Sequence, residues 1–468
     1  MQLVKQKNKT HVLEKVFAPY FEGKSHSLLI KGQPGTGKTT LALELLDMLK
    51  QNGLTNMGFY VSTRTSFNSL CLQYPWAKRF MHSENIMSFL NSNSYSSGSS
   101  AVIDARMGTA DGLQDLVINA LTTNKNSLII LDSWDSLAKE FDSNKRIKME
   151  KSIGTISETQ NGCVIFISEE PAESTVDYLV DGVVTLDRKK SDAVTMRTMS
   201  IDKMRATEID KSQMVYTLYD SHFNILNNSA QHKYLNEKKL FDPIITRPGY
   251  ISSGNSILDD ILDGGFESGS VVFLELDQSL SDVIPTTILS NLISNTIRSN
   301  GSALVVAPPD KPSTNITKFV DGYCSDSELK NLHILSYDSD SSPLTMDPQK
   351  NYDIFNNKYA QLKKNAFPTV ISIDYGKTIQ GTTNPKKTNQ FLMNQMRQIR
   401  KNNDVCMITS TTQQTDSSFC KSICDVHMNL SLKHGSVLLQ TLRPFSGTFG
   451  MSLSVENNYP QYELIKLV

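Results

Sequence analysis

Hydrophobic residues along this chain follow two alternating patterns. Short runs of consecutive apolar residues are separated by longer stretches in which apolar residues recur every three or four positions. Runs such as residues 163–167 predict buried strands, whereas the series Leu41, Leu45, Met48 and Leu49 predicts an amphipathic helix. Strands that alternate with helices predict an α/β fold, in which a mainly parallel twisted sheet has helices on both faces.

The same pattern occurs twice. Three strand-like runs of the first half have counterparts in the second half, and the spacing between them is nearly constant, which predicts an internal duplication. The matching runs are residues 28–31 and 269–275, residues 127–133 and 370–374, and residues 178–186 and 423–427.

The length of the chain fits this duplication. At 468 residues it exceeds one ordinary hydrophobic core. We predict two tandem domains of the same kind, over residues 1–225 and 251–468, joined by a linker over residues 226–250.

Composition narrows the class of protein. The chain has 47 basic and 48 acidic residues, and neither half carries the positive field of a dedicated nucleic-acid clamp. We find no apolar run long enough for a membrane span and no secretory leader, and the six cysteines suit reduced thiols. A cytoplasmic protein that does not bind nucleic acid or membranes is therefore expected.

Residues 32–39 match the pattern G-x-x-x-x-G-K-[ST], directly after a predicted strand and directly before a predicted helix. In this context glycine lets backbone N–H groups turn around an anion, and the helix N-terminus adds its positive end. The pattern predicts that ATP binds here with Mg²⁺, with Lys38 on the β- and γ-phosphates and Thr39 on the metal ion. The predicted binding residues are Gly32, Gln33, Pro34, Gly35, Thr36, Gly37, Lys38, Thr39 and Thr40.

An acidic residue completes this predicted site. Asp132 is the acid at the end of the buried run at residues 127–133, and we expect it to hold Mg²⁺ through a water molecule. A carboxylate that only caps a turn after a strand is the alternative.

The second half lacks this chemistry. Residues 276–283 stand at the corresponding loop and contain no glycine, and Asp282 stands at the lysine position. A carboxylate there repels a triphosphate, so we predict that the second domain does not bind one at this loop. Cys420, Cys424 and His427 have the chemistry of metal ligands, but a closed zinc site needs a fourth, and core packing is favoured.

These motifs resemble the RecA-type ATPases, and within them the KaiC branch of double-domain proteins. The phosphate loop, Asp132, the segment 253–270 and Lys203-Met204-Arg205 carry the resemblance. Residues 62–64 and 73–76 are similar to the archaeal gas-vesicle regulator family, the GvpD-like proteins.

The resemblance implies an assembly. In KaiC-like hexamers the pair that matches Lys203 and Arg205 reaches the nucleotide of the neighbouring subunit, so a homo-oligomer with ATP or ADP between protomers is implied. A solvated basic pair on an edge strand is the alternative. In the second half Leu442-Arg443 is the match, with Thr441 at the lysine position.

One departure from the KaiC pattern concerns hydrolysis. The pattern has two glutamates after the second strand, and this chain has Arg64 and Thr65 there. Loss of a general base costs about 10²- to 10⁴-fold in rate, so we expect slow or absent hydrolysis. Arg64 is a candidate ligand of the γ-phosphate. Glu169 and Glu170 are candidate replacements for the catalytic base, or simple surface acids.

Three functions compete at this point. The first is an ATP-binding regulatory switch that acts on a partner protein, which the GvpD resemblance implies to be a regulatory component such as a transcription activator. The second is an active ATPase motor that uses Glu169 or Glu170. The third is a recombinase-like DNA-binding protein, against which the charge balance argues. The basic residues 188–190 are predicted to lie in a solvated turn.

Overall fold

The chain divides into two compact units. A computed structural model describes residues 2–22, 27–84, 100–106, 110–123, 126–139, 141–170, 172, 174–191, 194–226, 240, 242–309, 313–338, 343–364, 368–411, 417–456 and 459–468. The first unit is Met1–Leu226 with Leu467–Val468, and the second is Asn227–Lys466. Much of the predicted linker, residues 227–239 and 241, lies outside the described residues.

The first unit is built on one sheet. Its strands are β1 Ser27–Gly32, β2 Met57–Ser62, β3 Met81–Glu84, β4 Ser100–Asp104, β5 Ser127–Asp132, β6 Cys163–Ser168, β7 Gly182–Ser191, β8 Val194–Met204, β9 Gln213–Thr217 and β10 Asn224–Ile225. Their order is β10-β9-β8-β7-β1-β6-β5-β2-β4-β3. The strands from β3 to β7 in this order run parallel, and β8, β9 and β10 extend the sheet in antiparallel pairs.

Helices cover this sheet. The described α-helices of the first unit are α1 Gln2–Glu22, α2 Lys38–Gln51, α3 Phe67–Gln73, α4 Ala110–Thr123, α5 Trp134–Ala138, α6 Ser143–Thr159 and α7 Thr175–Leu179. Two short 3₁₀ turns lie at Pro75–Arg79 and Tyr219–Ser221.

Successive side chains of β1 pack into two different hydrophobic cores. Leu28 and Ile30 join a cluster with Leu41 and Leu45 of α2, while Leu29 joins residues of α4 and α5 on the opposite face. Since side chains alternate along a strand, a strand that is buried on both faces must be apolar throughout. The central position of β1 therefore explains its continuous apolar run.

The second unit has its own sheet. Its strands are β11 Tyr250–Ile251, β12 Phe266–Glu267, β13 Val271–Leu276, β14 Ser302–Val306, β15 Leu332–Leu335, β16 Thr369–Asp374, β17 Val405–Thr411, β18 Val426–Lys433, β19 Ser436–Arg443, β20 Phe445–Glu456 and β21 Tyr459–Lys466. The large sheet has the order β15-β14-β16-β17-β13-β18-β19-β20-β21, and β11 pairs with β12. Its described helices are α8 Ser256–Ile261, α9 Val283–Arg298, α10 Ser313–Asp321, α11 Pro348–Lys363, α12 Tyr375–Gln380, α13 Pro385–Lys401 and α14 Ser418–Ile423, with a 3₁₀ turn at Glu328–Asn331.

The two sheets share one topology. In the first sheet, β1 precedes the loop and lies between the parallel strands β6 and β7. In the second sheet, β13 lies in the same way between β17 and β18. Strands β7 and β18 each begin the antiparallel part of their sheet. The predicted α/β fold with mainly parallel sheets is confirmed.

One local prediction is wrong. Residues 188–190 do not form a turn, because β7 continues to Ser191 and pairs with β8 along its length. Polar side chains on the exposed end of a long hairpin had suggested that the strand ends earlier.

Candidate functional site: the phosphate loop of the first unit

The loop between β1 and α2 requires glycine at two points. Gly32 has φ +154°, and a Cβ there would lie 2.2 Å from the backbone oxygen of Leu186. Gly37 has φ +95°, and its Cβ would lie 2.6 Å from Leu218. These glycines let the backbone turn directly from a buried strand into the N-terminus of α2, which begins at Lys38.

Lys38 lies inside this loop. Its Nζ donates hydrogen bonds to the backbone oxygens of Gly32, at 2.7 Å, and Gln33, at 3.0 Å. Burial lowers the pKa of the Lys38 ammonium, and the nearby carboxylates of Glu169 and Asp132 oppose that shift. The loop therefore holds a cation, a helix N-terminus and two glycine turns together, which is an arrangement suited to phosphate.

Thr39 and Asp132 meet beside the loop. The Thr39 hydroxyl donates to Asp132 Oδ2 at 2.6 Å, and the hydroxyl of Tyr60 donates to the same oxygen at 2.5 Å. A hydroxyl and a carboxylate are hard oxygen ligands, so this pair fits Mg²⁺. Burial, together with the charge of Asp132, raises the pKa of Tyr60 well above its usual value, which keeps this hydroxyl a hydrogen-bond donor.

A cavity of about 360 Å³ opens in front of these groups. Of the predicted binding residues, Pro34, Gly35, Gly37, Lys38, Thr39, Thr40, Arg64, Asp132 and Glu169 line it, with Ser62, Thr65, Tyr74 and Leu218 in addition. Gly32, Gln33 and Thr36 do not line the cavity. Thr36 Oγ1 donates to Gln33 O at 2.8 Å, and the hydroxyl of Tyr216 donates to Thr36 O.

Arg64 and Glu169 form an ion pair at this cavity. Arg64 donates to both oxygens of the Glu169 carboxylate, with the Nη2 to Oε2 distance at 2.7 Å. The hydrogen bonds from Arg64 lower the pKa of Glu169 more than burial raises it, and they raise the pKa of Arg64. The residue that replaces a KaiC glutamate is therefore bound to the carboxylate that could take over that role.

The two candidate glutamates differ in position. Glu169 lies at the cavity, and its backbone N–H donates to the buried carboxylate of Asp135, which also accepts from Ser168 Oγ at 2.9 Å. Glu170 does not line this cavity, and its backbone N–H donates to Ser168 Oγ at 3.2 Å. Glu169 is therefore the better candidate for a catalytic base.

Lys203 and Arg205 do not line the cavity of their own chain. Lys203 Nζ donates to the backbone oxygens of Val180, at 2.5 Å, and Asp177, at 3.1 Å, at the end of α7. Arg205 follows the last residue of β8 and lies 3.4 Å from the carboxylate of Asp181. Burial and the charge of Arg205 lower the pKa of Lys203.

The strand register corrects one correspondence between the units. Lys203 pairs with Val183, and Arg443 pairs with His427, and both ladders shift register at the next position. The expectation that Thr441 stands at the lysine position is wrong, because Arg443 stands there and donates to Cys424 O at 2.8 Å. The motif match had placed Arg443 opposite Arg205, whereas the strand pairing places it opposite Lys203, and pairing depends on register that the sequence does not show.

The corresponding loop of the second unit has different chemistry. Asp282 directly precedes α9, and the side chain of Asp277 accepts hydrogen bonds from the N–H and hydroxyl of Ser279 at 3.0 and 2.7 Å. These interactions hold the loop with its own carboxylate. The absence of triphosphate binding at this loop stays a prediction.

The Cys420, Cys424 and His427 set belongs to the core. Both cysteines lie in a hydrophobic cluster, and His427 Nε2 lies 2.9 Å from the carboxylate of Glu275. Among the described residues, no group of three or more His, Cys, Asp and Glu side chains could hold a metal ion.

Sequence reasoning missed several residues of the site. Tyr60 donates a hydrogen bond to Asp132, and Asp135 accepts one from the backbone N–H of Glu169. Tyr74 lines the cavity, and its hydroxyl lies 3.2 Å from Thr40 Oγ1. Tyr74 lies in the segment 73–76 that carries the GvpD resemblance, which was the one available signal. A tyrosine in an apolar strand, such as Tyr60, has no sequence signature that distinguishes it from core.

Comparison with known proteins agrees with this geometry. Residues 21–230 match the family model described as ATPase: KaiC. The chain is 29% identical to Protein GvpD1 of Halobacterium salinarum over 304 residues, which cover 62% of this chain and 55% of that protein. It is 26% identical to Protein GvpD2 of the same organism over 309 residues, which cover 64% and 61%. The matched region thus spans little more than half the length of these relatives.

No helix in the described parts of the chain has the length and apolar character needed to cross a bilayer.

Proposed function

We propose that this protein is an ATP-binding regulatory switch, because residues 21–230 match the KaiC-type ATPase family model and the chain resembles the GvpD proteins over a longer stretch. ATP binds in the first unit, hydrolysis is slow or absent, and the ATP-bound form acts on a regulatory partner protein in the cytoplasm. The observation that carries the proposal is the meeting of Lys38, Thr39 and Asp132 at one cavity, where the candidate base Glu169 is paired with Arg64.

Each residue has a distinct role in this proposal. Lys38 and the backbone N–H groups of the loop bind the β- and γ-phosphates, and Thr39 and Asp132 hold Mg²⁺. When bound, Mg²⁺ neutralises charge on the phosphates. Tyr60 orients Asp132 through the hydrogen bond to Oδ2.

The Arg64–Glu169 pair favours binding over turnover. A general base must accept a proton, and a carboxylate that already accepts two hydrogen bonds from a guanidinium is a weaker base. The γ-phosphate of ATP competes with Glu169 for Arg64, since a guanidinium binds phosphate as readily as carboxylate. Arg64 then reports whether the terminal phosphate is present.

The oligomeric part of the proposal rests on Lys203 and Arg205. Neither lines the cavity of its own chain, which is compatible with contact to the nucleotide of a second copy. We propose a homo-oligomer, with a hexamer as the form implied by the KaiC resemblance, in which nucleotide lies between protomers.

The mass of the intact protein tests this proposal. We expect ATP and a slowly hydrolysed analogue to raise the mass of the wild-type protein, with less effect from ADP and none in Lys38→Ala. A Lys203→Ala/Arg205→Ala variant should bind ATP at the loop but fail to assemble. An unchanged mass in every condition would overturn the interfacial site.

An active ATPase motor is the second candidate function. In such a motor Glu169 is favoured over Glu170 as the catalytic base, because Glu169 lies at the cavity. Phosphate release from Glu169→Gln and Glu170→Gln separates the two functions. A switch responds little to either change, whereas a motor loses most of its rate in Glu169→Gln. Turnover of tens per second by the wild-type protein would contradict the switch.

A further inference from the structure

Three side chains from three neighbouring strands lie in one row beside the phosphate loop. Arg188 of β7 pairs directly with Arg197 of β8, and Arg197 pairs directly with Tyr216 of β9. Side chains that lie directly opposite each other in antiparallel pairs project from the same face of a sheet. Arg188, Arg197 and Tyr216 therefore share one face.

The outer two members of this row reach the phosphate loop. The hydroxyl of Tyr216 donates to the backbone oxygen of Thr36. Arg188 Nη1 lies 3.3 Å from the point at which a Cβ of Gly35 would stand. Since Arg197 lies between them on the same face, its guanidinium is directed to the same side of the sheet as the loop.

Two of the three guanidinium nitrogens of Arg197 lack an acceptor among the described residues. Its Nε and Nη1 are buried and have no hydrogen-bond partner in the part of the chain that the structure describes. Burial lowers the pKa of Arg197, and the neighbouring charge of Arg188 lowers it further. Buried donors of a guanidinium without an acceptor are rare, and a binding site for an anion is a physical explanation for them.

We propose that Arg188 and Arg197 form a second anion-binding site against the phosphate loop, and that this site takes a phosphate group. The planar guanidinium of Arg197 supplies two donors, and the more exposed Arg188 supplies charge beside Gly35. The phosphate group comes either from ATP held by the loop of the same chain or from inorganic phosphate. The first source rests on the nucleotide binding proposed above, and the second does not.

Calorimetric titration with Mg-ATP and with ADP tests the nucleotide source. We expect Arg197→Gln and Arg188→Gln each to raise the Kd for ATP at least about tenfold, because each removes a charge-assisted contact. Lys189→Gln is the matched control, since it removes the same charge from the adjacent exposed position of β7, where side chains alternate to the other face. This control should change the Kd less than twofold.

Thermal melting with sodium phosphate tests the second source. In a Lys38→Ala background, in which the loop has lost its lysine, phosphate should still raise the melting temperature, and Arg197→Gln should abolish that rise. Arg197→Lys, which keeps the charge but loses the planar fork, should retain only part of it. Arg188→Gln changes an exposed side chain, so it serves if the Arg197 variants do not fold.

The outcomes separate this inference from the proposed function. The second anion site does not exist if both arginine variants behave as Lys189→Gln does, in the calorimetric titration with nucleotide and in the thermal melting with phosphate. This holds even where Lys38→Ala abolishes ATP binding. If the wild-type protein binds no ATP, the proposed function fails, and the phosphate titration alone decides the inference.

Discussion

Arg64 donates two hydrogen bonds to the carboxylate of Glu169, so the end of β2 and the end of β6 are joined at the cavity in front of the phosphate loop. Strands β2 and β6 are not neighbours, because β5 lies between them in the sheet. The pair thus connects two strand ends that no backbone hydrogen bond joins directly. It leaves the site with a carboxylate that is already bound to a cation.

Removal of Arg64 is expected to raise turnover. In Arg64→Gln the Glu169 carboxylate loses its guanidinium, its pKa returns toward the ordinary value, and it becomes a stronger base. Phosphate release at saturating ATP should rise about tenfold or more, within the range of general-base catalysis. A steady-state phosphate assay measures this.

Two further variants control the Arg64 result. Arg64→Gln/Glu169→Gln should lose the gain, since the base is gone. Arg79→Gln breaks a comparable ion pair with Asp47 that does not border the cavity, and it should leave the rate unchanged. A rate that stays flat in Arg64→Gln would show that the ion pair does not limit hydrolysis.

Tyr60 is expected to affect both stability and metal dependence. Tyr60→Phe removes a buried hydrogen bond to Asp132, which should lower the free energy of unfolding by about 1.5–3 kcal/mol. The freed carboxylate is less well oriented, so a higher Mg²⁺ concentration should be needed for ATP binding. Tyr359→Phe in the second unit removes a similar bond to Asp404 and should change stability without changing Mg²⁺ dependence. If both variants need the same Mg²⁺ concentration for ATP binding, this would count against a role of Tyr60 at the site.

A buried carboxylate in the second unit predicts a pH dependence. Burial raises the pKa of Glu275, but hydrogen bonds from Lys421 and His427 outweigh burial and leave it below the ordinary value of 4.5. The folded state therefore keeps Glu275 ionised at pH values where the unfolded chain protonates it. This contribution to stability is complete above about pH 4.5 and is lost as the pH falls through the folded-state pKa.

Lys421→Met tests that contribution. Glu275 loses a partner at 2.8 Å but keeps His427, and solvent screens the half-exposed Lys421, so we expect a loss of about 1 kcal/mol in the free energy of unfolding at pH 7. The difference from wild type should shrink as the pH falls below about 4.5, because a protonated Glu275 no longer gains from the lysine. Urea unfolding at pH 7 and at pH 4 measures it, and a difference that does not depend on pH would contradict the assignment.

The same position in the first unit holds the opposite charges. Lys31 is the residue before the last of β1, as Glu275 is in β13, and it pairs with Asp177 at 2.5 Å. Asp177 and Lys421 each lie four residues before the aspartate that precedes β7 or β18. Charge reversal at both ends keeps the ion pair while the loop chemistry of the two units differs.

The phosphate loop and the α/β class could be predicted from sequence, because a motif of fixed spacing lies between a strand and a helix of clear periodicity. The ion pair between Arg64 and Glu169 could not be predicted from sequence, since it depends on the order of strands in the sheet. The row of Arg188, Arg197 and Tyr216 depends on the register of two antiparallel pairs, and so does the match of Arg443 to Lys203. Local spacing determines elements, whereas the meeting of distant side chains depends on topology and register.

The number of nucleotides bound per chain tests the central claim most directly. Calorimetric titration of the wild-type protein with a slowly hydrolysed ATP analogue and Mg²⁺ should give one site per chain, and Lys38→Ala should give none. Two sites per chain, or a site that persists in Lys38→Ala, would contradict an account in which ATP binds at the loop of the first unit alone.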